Sequence, residues 1–256
     1  MSAVVDSPST SSLSATVEYR SLPDLLEQRT FATGAEAAIS YLTYDSGTGC
    51  AESTWTWRQL ALRAAAVAAW VQRRVAPGQP VAILADQGPE YIAAVLGVMR
   101  AGSPAVPLFP ASFRGRTDHL AGILRDCRPA MVLTTKRCLD ETVEFMDTRD
   151  LQVPQFAASD LLPTAMADYY DPVSVRPGDI AYLKYPSRPV PSSPRGIMVT
   201  HANVVANARQ AMRAFDVEPG RSVTVSWLPL FQSMGLLVNI QLFRGGSGAA
   251  LAAASS

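Results

Sequence analysis

VAILADQGPEYIAAVLGVMRAGSPAVPLF, residues 81 to 109, is the stretch whose reading decides the fold. It opens with a short apolar, β-prone run at 81–86 that ends on Asp86. Gly88-Pro89-Glu90 then starts a helix that closes near Gly102, and a second β-prone run follows from Ala105 to Phe109. Proline just inside a helix start and glycine just past its end fit the backbone demands of the two termini. Two apolar runs joined by one helix make a crossover unit, which places the strands parallel and leaves both sheet faces to be covered.

The same alternation continues on either side. Upstream, Thr56 and Gln59 have capping-box spacing ahead of the helical stretch WRQLALRAAAVAAWVQRR, which Ala76-Pro77-Gly78 ends. Earlier still, Ser21 followed by Asp24, Leu25 and Leu26 reads as a first capped helix. Downstream, a helix is expected from Thr117 to Cys127 and a strand at 131–135. From about Leu151 to Pro177 the pattern decays into proline-containing sequence. Strands return at 180–185 and 196–200, then a helix from His201 to Phe215 and a strand at 222–227. The predicted fold class is α/β, a mostly parallel sheet with helices on both faces. The expected organisation is a disordered leader at 1–18, a first α/β subdomain at 19–150, a linker region at 151–178, and the start of a second α/β subdomain at 179–256.

Bulk properties narrow the function classes. The 256 residues are 48% hydrophobic and 17% charged, which is ordinary for a globular chain. Lysine plus arginine and aspartate plus glutamate stand at 22 each, so no net field draws the chain to nucleic acid. Cys50, Cys127 and Cys138 are widely spaced, with no C-x-x-C, and point to neither a disulfide framework nor a zinc site. The start lacks a basic region and an apolar core, so it does not read as a secretory signal, and a cytoplasmic setting is expected. No apolar run reaches the roughly 18 residues a membrane span needs; the best, from Ala61 to Val71, is interrupted by Arg63.

Four stretches together, TWRQLALRAAAVAAWV, VAILADQGPEYIAAVLGVMRAGSPAVPLFP, HLAGILRDCRPAMVLTT and SWLPLFQSMGLL, resemble the adenylate-forming superfamily, and within it the N-terminal part of the fatty acyl-AMP ligases. That resemblance implies ATP and magnesium as cofactors and a fatty acid as substrate. It also implies acyl-AMP and pyrophosphate as products, and transfer of the acyl group to an acyl carrier protein or polyketide synthase. It further implies that the adenine and ribose contacts, the acidic magnesium ligand and the catalytic lysine lie beyond this chain. Neither Lys136 nor Lys184 stands at that lysine's position, so no catalytic residue and no metal ligand is assigned. A chain of this extent is expected to need a C-terminal segment or partner chain to complete its core.

Two motifs depart from the family pattern. Its phosphate loop reads roughly Y-T-S-G-S-T-x-x-P-K-G, where small residues let backbone N–H groups surround phosphate oxygens. Here the flanks match, with Tyr182, Leu183 and Tyr185 before the loop and Pro194, Arg195, Gly196 and Thr200-His201-Ala202-Asn203 after it. The loop itself, PSRPVPSSPRG, carries Pro186, Pro189, Pro191 and Pro194, which have no N–H to give, and is one residue longer than the family spacing. Ser187, Arg188, Ser192, Ser193 and Arg195, with Gly196, remain candidates to grip an anion; the alternative is a solvated proline-rich loop.

In the acyl-site motif, Trp227, Phe231, Gln232, Ser233, Met234 and Gly235 are the candidates. Gln232 and Ser233 stand where the family shows histidine and aspartate, and they can hydrogen-bond but not supply the same charge. The apolar members either line an acyl tunnel or pack the core. His201 reads as structural at a helix start, His119 as a helix-surface residue, and Asp86, Gln87 and Glu90 as capping groups. Two functions stay open: an acyl-adenylating ligase, inactive as this chain alone, or a ligase-like domain that binds an acyl or nucleotide ligand or a protein without chemistry. An unrelated dinucleotide-binding domain is disfavoured, because no G-x-G-x-x-G follows a strand.

Overall fold

Apolar runs that alternate their side chains between two faces need helices above and below, and the computed structural model of the chain shows that arrangement. It describes residues 20–44, 50–113, 115–186, 194–216, 224–232, 235–236 and 249–253. Strands β3 (Val81–Leu84), β4 (Ala105–Leu108), β5 (Met131–Thr134), β6 (Gln155–Ala158), β7 (Ile180–Lys184) and β8 (Ile197–Thr200) form one sheet in the order β6-β5-β3-β4-β7-β8. All pairs are parallel except β7 with β8. A second sheet, in the order β2-β1-β10-β9, joins β1 (Ala37–Tyr44), β2 (Cys50–Thr56), β9 (Thr224–Ser226) and β10 (Ala249–Ala253).

The six-stranded sheet separates two cores. Val81 and Ile83 of β3 and Met131 and Leu133 of β5 face helices α1 (Leu22–Thr33), α2 (Trp57–Gln72) and α3 (Pro89–Arg100). Their neighbours Ala82, Leu84 and Val132 face α4 (Thr117–Cys127) and Phe145 of α5 (Leu139–Thr148). Burial on both sides explains why these strands read as unbroken apolar runs. Helix α6 (His201–Ala214) adds Val204 and Val205 to the first core.

Local signals hold where side chains close the helix ends. Ser21 accepts from the Asp24 N–H, while Thr56 with Gln59 and Thr200 with Asn203 each form reciprocal capping boxes. The hairpin β1–β2, helix α5 and strand β6 were not anticipated. The stretch at 151–178 contributes β6 and several 3₁₀ turns. Asp86 and Gln87 do not cap α3, which starts at Pro89 with Gly88 as N-cap and no side-chain cap, while Glu90 does stand in its first turn. Asp86 instead takes the Thr135 hydroxyl at 3.0 Å and the Arg137 guanidinium at 3.2 Å. Glu90 pairs with Arg63 at 3.0 Å, and Gln87 accepts from the Leu230 N–H at 3.0 Å. Long-range partners outcompete the local helix end at Asp86 and Gln87.

Helices α2 and α3 approach so closely that a Cβ on Gly97 would lie 2.6 Å from the Val67 Cβ and 2.7 Å from the Ala64 carbonyl oxygen. The alanines of α2 permit this contact. Arg63, only 7% exposed, fixes the pair in place, reaching Glu90 through Nε and the carbonyls of Leu162 and Ser159 through its two terminal nitrogens. His201 is buried as well, and its Nδ1 accepts from the Leu22 N–H at 3.4 Å, which joins α6 to α1. Burial lowers its pKa to about 4, against opposing pulls from Asp179 and Asp24.

Two outcomes are expected. Gly97→Ala should destabilise the fold by about 1–3 kcal/mol through overpacking, read as a lower urea midpoint with the slope unchanged. His201 stays neutral in the folded chain while the unfolded chain protonates near pH 6.5, so stability should fall as pH drops from about 6.5 to about 4 and level off below. Replacing His201 with glutamine should flatten that part of the stability profile, and an unchanged slope in urea titrations across this window would count against it.

Candidate functional site

Ligands of open α/β sheets sit at the carboxyl ends of the parallel strands. Here that edge presents Asp86 and Gln87 after β3, Phe109 after β4, Thr135 after β5, and Tyr185 with Pro186 after β7. Two segments reach it among the described residues, the ends of the β7–β8 connection and the loop that follows β9.

The loop after β9 is tightly folded. The Leu228 N–H donates to the Ser226 Oγ, Gln232 N–H to the Pro229 carbonyl, and Leu236 N–H to the Gln232 carbonyl. A Cβ on Gly235 would run into the Pro229 carbonyl group, so only glycine permits this closure. Gln87 holds the loop through Leu230, which is buried together with Leu236. Phe231 then packs with Phe109 at 5.6 Å and Phe113 at 5.7 Å between ring centroids, and those two rings are 5.4 Å apart. The three rings form an apolar wall, with the Arg116 guanidinium 5.3 Å over Phe113. Trp227 is 72% exposed, so core packing does not describe it. Gln232 is half-buried, while Ser233 and Met234 lie outside the described residues. Phe109, Phe113 and Gln87 were missed as site residues, although an aromatic pair four residues apart after a strand was a visible signal.

The β7–β8 connection is held by α4. A single carboxylate oxygen of Asp126 accepts both the Tyr185 hydroxyl at 2.5 Å and the Gly196 N–H at 3.1 Å. Burial first, and the hydrogen bond to Asp126 next, keep the Tyr185 phenol well above its ordinary pKa, so it remains a donor. His119 Nε2 meets the Pro186 carbonyl oxygen at 2.8 Å. His119 is 8% exposed, which corrects its placement on the helix surface: the loop stem lies over it. Of the loop candidates, Arg195 is exposed, and Gly196 is half-buried with its N–H committed to Asp126. Ser187, Arg188, Ser192 and Ser193 lie outside the described residues. Among the described residues no group of three or more His, Cys, Asp or Glu side chains could hold a metal ion, and no helix is long and apolar enough to cross a membrane. Tyr185 and Phe231 pack against the same buried cluster, so the stem and the aromatic wall share one support.

Comparison with known proteins identifies the family and the fold. Residues 27–254 match the AMP-binding enzyme family. The chain is 34% identical over 229 residues to the long-chain-fatty-acid–AMP ligase FadD26 of Mycobacterium marinum, covering 88% of this chain and 39% of that protein. It is 35% identical over 228 residues to a 4-hydroxyphenylalkanoate adenylyltransferase of Mycobacterium tuberculosis, covering 87% and 37%. The chain thus spans well under half the length of these curated relatives. In structure it is similar to a fatty acid AMP ligase from Legionella pneumophila, with TM-score 0.81 and 28% identity over 94% of this chain and 41% of that one. A fatty acyl-adenylate ligase from the same organism, in complex with acyl adenylate and pyrophosphate, gives TM-score 0.79 and 27% identity, covering 92% and 40%. With this fold and a match across most of its length, the chain belongs to the AMP-binding enzyme family, with fatty acyl-AMP ligases among its homologues.

Proposed function

We propose that this chain forms the N-terminal share of an ATP-dependent ligase that activates a fatty acid as its acyl-adenylate. The observation that carries the reading is the folded loop from Ser226 to Leu236, anchored by Gln87 and placing Phe231 in a three-ring wall at the carboxyl edge of the sheet. In the reaction, a fatty carboxylate oxygen attacks the α-phosphorus of ATP and pyrophosphate departs, which turns a poor acyl donor into a reactive one. Phe109, Phe113 and Phe231 would shield an acyl chain from water, and the Gln232 amide offers hydrogen bonds but no charge. The exposed Arg195 guanidinium would add positive charge beside the phosphates. Magnesium would neutralise phosphate charge when bound; the described residues provide no ligand cluster for it. A carrier-protein thiol in lipid or polyketide assembly, met in the cytoplasm, is the proposed acceptor.

A second reading rests on the proline content of the loop and on Gln232 and Ser233: a domain that binds an acyl chain or nucleotide without turning it over. Pyrophosphate release with palmitate, ATP and magnesium tests both, alongside titration with a dansylated fatty acid. The expected result is saturable acyl binding and no pyrophosphate above the protein-free control from these 256 residues alone. Release from them alone would overturn the proposed dependence on further segments, and a chain that binds neither acyl probe nor ATP would sink the ligase reading. Gly235→Ala should weaken the acyl probe about tenfold or more, because the loop cannot close over a methyl group at that point. Unchanged affinity in that variant would remove the loop from the site.

A further inference from the structure

Helix α4 carries three residues that its own stability does not favour. Gly122 sits in its middle, where glycine costs about 1 kcal/mol relative to alanine. Asp126 occupies the last turn, where the partial negative charge of the helix end repels a carboxylate. His119 is buried in the first turn. Spaced i, i+3 and i+7, the three share one face of the helix. Each is explained by the same neighbour, the stem of the β7–β8 connection. His119 meets the Pro186 carbonyl, and a Cβ on Gly122 would press to 3.1 and 3.3 Å against the Pro194 ring. Asp126 joins Tyr185 on one side of the connection to Gly196 on the other. Gly196 fits the same seat, since a Cβ there would come within 2.7 Å of the Tyr185 hydroxyl oxygen.

We propose that His119, Gly122 and Asp126 form a clasp that sets the spacing and direction of the two ends of the phosphate loop, and so controls its grip on a triphosphate from outside the nucleotide site. The inference rests on the reading of that connection as a phosphate loop. These are positioning residues; none would touch the nucleotide. Asp126 carries the main part, because one of its oxygens joins Tyr185 to Gly196 just beyond the last β7–β8 pair, Lys184 with Ile197. A loop rich in proline has few backbone donors, so the placement of its two ends matters more to any grip it has on an anion. The charge of Asp126 supports the same role: hydrogen bonds to an ionised acceptor are stronger than those to a neutral one, and both donors here meet one oxygen of it.

The Arg195–Gly196 bond reports on the clasp directly, because Arg195 is exposed and Gly196 is one of the clasped residues. Limited trypsin digestion of the full chain, followed by the mass of the fragment starting at Gly196, measures how often that end lets go. Asp126→Ala should raise the rate of this cut roughly tenfold with the thermal midpoint unchanged, because charge-assisted hydrogen bonds are lost locally. Asp126→Asn keeps an acceptor oxygen and should stay within about threefold of the wild type, and Tyr185→Phe should fall between the two. Binding of magnesium ATP, followed by calorimetry, should weaken in the same order, while the dansylated fatty acid binds all variants alike.

Equal cutting of the wild type and Asp126→Ala would overturn the clasp, as would equal ATP affinity. Should Asp126→Ala not fold, Asp126→Asn and Tyr185→Phe decide, and a Tyr185→Phe chain as resistant to the cut as the wild type counts against the proposal. A wild type that binds no ATP would sink the ligase reading, leaving the clasp to be judged on the cleavage rates.

Discussion

The packing of α2 against α3 is the constraint on which the remaining architecture rests. Gly97 lets the Val67 side chain and the Ala64 carbonyl come within ordinary contact of the neighbouring backbone, and the alanine-rich face of α2 makes the approach possible. Arg63 then closes the unit. Its guanidinium is taken from water, yet it finds a carboxylate and two carbonyls, so its charge and donors are met. Because two of those carbonyls belong to the turn after β6, the same side chain ties the helical layer to the far end of the sheet. The first strand–helix–strand unit is thereby held at both ends, and the carboxyl edge between β3 and β4 is given a fixed floor.

How much of this was legible follows from where each segment gets its stability. Strands β3, β4 and β5 are buried on both faces, so their apolar runs announce them without reference to partners. The hairpin β1–β2 is different. Residues Ala51 to Thr54 of β2 are exposed, three of the four polar, and β1 finds its second neighbour in β10, where Ile39 lies opposite Ala249. A strand that depends on a partner some two hundred residues away leaves little local trace. Strand β6, at the sheet edge and half-buried over Gln155 and Phe156, was hidden in proline-containing sequence for the same reason.

The site divides along the same line. Motif flanks such as Gly196 and Gly235 were identifiable, because close backbone approach demands small residues at set spacings. The groups that place them were not. His119 and Asp126 look like solvated helix residues until the loop stem is laid on them. Gln87 looks like part of a helix cap until Leu230 arrives from 143 positions downstream. Polar side chains near a helix end have local and distant claimants of comparable strength, and only the folded chain shows which one is closer.

Strand β8 has a consequence for handling the molecule. It forms one margin of the six-stranded sheet among the described strands, and the adjacent Ile197 and Met198, which point to opposite faces, are 56% and 66% exposed. With equal numbers of acidic and basic residues, the chain carries no charge surplus to keep copies apart near neutrality. A strand margin that no described strand pairs, with greasy side chains above and below it, is a ready template for another strand. Concentrated solutions at neutral pH should therefore turn cloudy sooner than those held a unit or two away, where mutual repulsion returns.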